Sequence, residues 1–101
     1  MDIKENDTPR ERMNKRGEKP VLCMQREEGM AVFRYLVAVS KAPPMTYSIY
    51  AEYEDGTTHT IGEIPHFSED RDMAESFCGM LERWGVTPLS LEAIYEDIYT
   101  P

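Results

Sequence analysis

The chain has only two cysteines, no glycine cluster and no apolar run of more than a few residues, and each shortage removes a class of protein. Cys23 and Cys78 are too few for a disulfide framework and too far apart for a paired-cysteine metal site, so both read as reduced thiols, with Cys78 buried. No apolar run approaches the ~20 residues of a membrane-spanning helix. Without a glycine-rich turn before a helix there is no phosphate-cradling loop. His59 and His66 are the only histidines. With the cysteines they would be the soft ligands of a metal site, yet they fall in none of the short pairs that pre-organise zinc. No metal, no cofactor and no catalytic residue are therefore expected, and the chain reads as a non-enzyme.

Cations are scarce outside the N-terminus. Residues 1–20 hold six Lys/Arg against five Asp/Glu, whereas residues 21–101 hold five against fourteen, a balance of −9 for the latter. A field of that sign repels nucleic acid and anionic membrane and favours basic protein partners. Residues 1–19 mix both signs and lack an apolar segment, so they read as a flexible polar leader without a secretory signal, which gives the expectation of a cytoplasmic protein. Inside the leader, Thr8-Pro9-Arg10-Glu11 has the form of a capping box and Gly17 can end a short helix. With only Met13 to anchor it, this helix is expected to be transient and to order on a partner.

Residues 20–101 read as a single α+β domain. VLCMQ at 21–25 and MAVFRYLVAVS at 30–40 are strand-like, and the second is apolar on both faces, as a central strand is. TYSIYAEYE alternates with Tyr47, Ile49, Ala51 and Tyr53 inward and Ser48, Tyr50, Glu52 and Glu54 outward. Asp55-Gly56 predicts a two-residue type I′ hairpin, which places Glu54 opposite Thr57, Glu52 opposite His59 and Tyr50 opposite Ile61. Glu52 and His59 then form a surface pair. Pro65 is expected to end the fourth strand.

From Ser68, read as an N-cap, Met73, Phe77, Met80, Leu81 and Trp84 recur as one helical stripe up to a left-handed stop at Gly85. Thr87-Pro88 restarts a helix with Leu91, Ile94, Tyr95 and Ile98 as its apolar stripe. The predicted architecture is a four-stranded antiparallel β-meander packed on one face by two C-terminal α-helices. Opposite the stripes stand Asp72, Glu75 and Glu82 on the first helix and Glu92, Glu96 and Asp97 on the second, and these six are the candidate protein-binding residues.

Tyr47-Ser48-Ile49, Ile61-Gly62-Glu63-Ile64, Val86-Thr87-Pro88-Leu89-Ser90-Leu91 and the ending Ile94-Tyr95-Glu96-Asp97-Ile98-Tyr99 form a set. Through it, residues 35–99 resemble a family of short proteins, mainly from Gram-positive anaerobes, described only as a domain of unknown function. That family often carries glycine where this chain has Ser48. The resemblance implies the fold and brings no activity or site residue with it.

These features lead to the expectation of a small acidic protein-binding module. Its concrete form is an inhibitor of anti-CRISPR type, carried by a phage or mobile element, that blocks the basic nucleic-acid-binding surface of a nuclease without touching nucleic acid or membrane itself. The rival readings are a small hydrolase or metal-dependent enzyme built around a histidine, and a homodimeric accessory protein that pairs through Tyr50 and Ile61 on an open sheet face. The oligomeric state reads as monomer or weak homodimer.

Overall fold

The most apolar segment becomes β2 (Ala31–Ser40), second of four antiparallel strands in the order β1-β2-β3-β4, in a computed structural model that describes residues 7–99. β1 (Glu18–Glu28), β3 (Tyr47–Glu54) and β4 (His59–Ser68) complete the predicted meander. One face carries α2 (Arg71–Trp84), a single 3₁₀ turn at Pro88–Ser90 and α3 (Leu91–Tyr99). The core between them joins Phe33, Tyr35, Val37, Ile49, Ala51 and Ile64 of the sheet to Phe77, Cys78, Leu81 and Leu91 of the helices. The α+β class and its two C-terminal helices are as the sequence predicts.

The other face is not open. Thr8 and Glu11 close the expected capping box, and α1 (Pro9–Arg16) ends at Gly17 in the left-handed conformation. This helix lies on the sheet, where Met13, 1% exposed, packs with Leu36, Ala38 and Tyr50. Arg12 donates to Glu63 of β4 at 2.8 Å and Arg16 pairs with the same carboxylate. The expected flexible leader is thus corrected over residues 8–19; its first six residues lie outside the described ones. A helix this short is marginal alone, and tertiary contacts hold it. The long Arg12 and Arg16 side chains supply contacts that a search for apolar anchors does not see.

The β3–β4 register differs from the prediction by two residues. Glu54 faces His59, Glu52 faces Ile61, Tyr50 faces Glu63 and Ile49 faces Ile64. The Asp55 carboxylate accepts from the N–H groups of Thr57 and Thr58 at 3.0 and 2.8 Å, which fixes a longer connection than the two-residue turn. Because the shift is even, every side chain keeps its predicted face.

Pro65 does not end β4. It falls in an irregularity between the Ile49↔Ile64 and Tyr47↔Ser68 pairs, where a missing N–H is tolerated. His66 there takes φ 53°, and its N–H donates to Ser48 Oγ at 3.0 Å. Asp70, not Ser68, caps α2, accepting from the N–H of Asp72 and Met73.

The buried stripe of α2 is Ala74, Phe77, Cys78 and Leu81, whereas Met73 and Trp84 are 39% and 63% exposed. It shares Phe77 and Leu81 with the predicted stripe but is rotated toward Ala74 and Cys78, small side chains that let the helix approach the sheet. Gly85 stops the helix as expected, at φ 61°. At Gly62 a Cβ would lie 2.5 Å from the Pro88 carbonyl oxygen, so only glycine lets the 3₁₀ turn sit this close on β4.

Candidate functional site

The six predicted acidic residues divide between α2, which carries Asp72, Glu75 and Glu82, and α3, which carries Glu92, Glu96 and Asp97. α2 lies over β1 and β2, and α3 packs on β4. Asp72 and Glu75 line a groove of about 630 Å³ between α2 and β1, together with Leu22, Met24, Ser76, Gly79 and Arg83. Glu75 is partly neutralised, accepting from Arg71 Nε at 2.7 Å one turn away. Glu82 sits at the C-terminal end of α2, where Arg26 of β1 donates to the carbonyls of Glu82 and Arg83 and offsets the negative helix end.

On α3, Glu92, Glu96 and Asp97 are all exposed. Among the described residues no cation pairs with them. α3 also has no basic residue in its last turn, where Glu96 and Asp97 face the negative end of the helix dipole. Trp84, the last residue of α2, and Leu89, in the 3₁₀ turn before α3, are 63% and 83% exposed. Aromatic packing of Phe67 and Phe77 with Tyr95 and Tyr99 holds α3 in place.

The opposite sheet face holds two polar networks that single-residue reasoning from the sequence does not assemble. In the first, Glu18 is 3% exposed and accepts from Ser48 Oγ at 2.7 Å and from the Tyr50 hydroxyl at 2.5 Å. Burial first, and the Glu18 bond second, push the Tyr50 hydroxyl well above the usual phenol range. Ser48 and Tyr50 are fully enclosed, so this cluster ties β1 to β3 and presents nothing to a substrate. The enclosure also corrects the open sheet face: Tyr50 lies beneath α1 and is not available as a dimer contact.

In the second, His59 Nε2 lies 2.7 Å from Glu52 Oε2, while one Arg34 nitrogen donates to Glu52 and Glu54, each at 3.1 Å. The predicted Glu52–His59 pair forms, but diagonally across the strands and with Glu52 only 6% exposed. Ligand atoms of Glu52, Glu54 and His59 come within 4.8 Å of one another, the spacing of a small cation site. Arg34 already supplies the positive charge there. A shallow groove of about 370 Å³ beside this cluster reaches Cys23, Gln25 and the start of α1. His66 is separate, its Nδ1 within 2.9 Å of Thr46 Oγ1.

No family model, curated protein or solved structure matches the chain. Among the described residues no helix is long and apolar enough to cross a membrane.

Proposed function

We propose that the chain is a non-enzymatic protein-binding module that docks a basic protein surface through α3, in the manner of an inhibitor that occupies a nuclease's nucleic-acid channel. One observation carries the reading. Glu92, Glu96 and Asp97 stand exposed without a paired cation among the described residues, two of them at the helix end that disfavours negative charge. Such placement costs helix stability, and a cationic partner reverses the sign of that cost. The exposed Trp84 supplies an aromatic anchor of the kind that dominates binding energy at interfaces, and Leu89 adds exposed apolar area. We propose the kinship of residues 35–99 with the Gram-positive family on the same motifs as before.

The test uses guide-loaded CRISPR effector nucleases as probes, assayed for DNA binding with the chain at rising concentration. The reading expects at least one effector to lose DNA competitively, with weaker inhibition as salt rises from about 0.1 to 0.5 M. Effectors that all retain DNA at every concentration overturn the nuclease version of it.

A further inference from the structure

β1 is an edge strand, and among the described residues nothing pairs with its outer side. Natural sheets blunt such edges with proline, lysine and bulges, because the free N–H and C=O groups recruit other strands. Here those devices are confined to the first part of the strand: Lys19, Pro20 and the irregularity between Pro20 and Leu22. From Leu22 to Gln25 there is no proline and no charged side chain, Arg26 is turned onto the end of α2, and Glu27 and Glu28 end the strand with charges that suit a basic segment.

The unprotected part is also the part that borders the groove against α2. A strand added to β1 lies ~4.8 Å beyond it, and its inward side chains then fall between Leu22, Met24 and the exposed side of α2. That side carries Asp72 and Glu75 near the start of the helix, Glu75 shared with Arg71, and among the described residues the one groove-lining cation, Arg83, stands at the far end of the helix. Gly79 leaves room: a Cβ there would meet only Met24 Cε, at 3.9 Å.

We propose that the β1 edge from Leu22 to Glu28 receives an extended basic segment of a partner protein as a fifth strand, with its cationic side chains directed to Asp72 and Glu75. Backbone pairing supplies the affinity and the groove selects the side chains. A second copy of this chain is a poorer occupant, since it brings a net charge of −8 to the same carboxylates. The site is separate from the α3 surface and does not depend on it.

The probe is a fluorescent peptide of about ten residues alternating lysine and valine, followed by polarisation, with a glutamate-for-lysine control. Two further versions carry backbone N-methyl groups on the odd or on the even residues, which keep the charge but block one edge each. The proposal expects the lysine peptide to bind, the glutamate peptide not to, and one methylation phase to weaken binding by about tenfold or more while the other does not. Asp72→Lys with Glu75→Lys weakens it similarly, and Gly79→Leu narrows the groove and does the same. Glu92→Lys with Glu96→Lys and Asp97→Lys leaves it unchanged, which separates this site from α3.

Equal binding of both methylated peptides overturns strand addition, and absence of lysine-peptide binding overturns the site. A dimer by light scattering that leaves the lysine peptide unbound assigns the edge to a second copy and overturns the proposal as well. The methylation contrast is read on the unaltered chain, so it decides the matter even where a variant fails to fold.

Discussion

The Tyr50 hydroxyl donates a 2.5 Å hydrogen bond to the Glu18 carboxylate, joining the first strand to the third beneath α1. Tyr50→Phe keeps the ring and leaves that buried carboxylate one donor short. The expected cost is ~1–3 kcal/mol, read as a lower urea midpoint at unchanged slope. Ser48→Ala removes the other side-chain donor to Glu18 and the acceptor for the His66 N–H, and a comparable loss is expected.

Met13 is the one buried apolar side chain on α1 besides Pro9. Met13→Ala is expected to cost ~2–5 kcal/mol if the helix stays docked, and less if it detaches. Hydrogen exchange separates these outcomes. Detachment gives fast exchange over Pro9–Arg16 and newly labile amides beside Leu36 and Tyr50, with the α2 amides unchanged.

Burial pushes the Cys78 thiol up to about 12, with the nearby Cys23 a smaller cause, whereas Cys23 is exposed. One cysteine is therefore expected to react with a thiol reagent in the native protein and the second only on unfolding. The sign of the pH dependence follows from the raised value. The contribution of Cys78 is fully present below the ordinary thiol range and is lost as pH rises toward about 12, because only the unfolded chain ionises that thiol readily. Cys78→Ala should flatten the alkaline limb of a stability–pH curve, measured by urea unfolding at several pH values.

The fold was legible in its local signals. The strand alternation, the glycine stops at Gly17 and Gly85 and the Thr8–Glu11 capping box all stand where the residues indicate. What escaped was set by particular side-chain contacts, one within a turn and one between distant residues. The Asp55 side chain bonds to Thr57 and Thr58 and thereby moves the register by two. The docking of α1 depends on Glu63, some fifty residues from Arg12 and Arg16.

The candidate site was legible only as a list of acids. Sequence spacing put Asp72, Glu75 and Glu82 on the same broad surface as Glu92, Glu96 and Asp97. The rotated stripe of α2 instead turns Asp72 and Glu75 toward the groove beside β1. The groove itself joins residues of β1 to residues some fifty positions later, and no pattern within either segment announces it.

The salt dependence of binding, compared between the unaltered chain and the Glu92→Lys, Glu96→Lys, Asp97→Lys variant, decides whether α3 is the contact surface. The measurement is a dissociation constant for a guide-loaded effector nuclease that the chain binds, taken from about 0.1 to 0.5 M salt. Affinity is expected to fall steeply with salt, and the variant to fold normally but bind at least about tenfold more weakly with a shallower salt slope. Salt-insensitive binding that survives the triple change would contradict α3 as the contact surface.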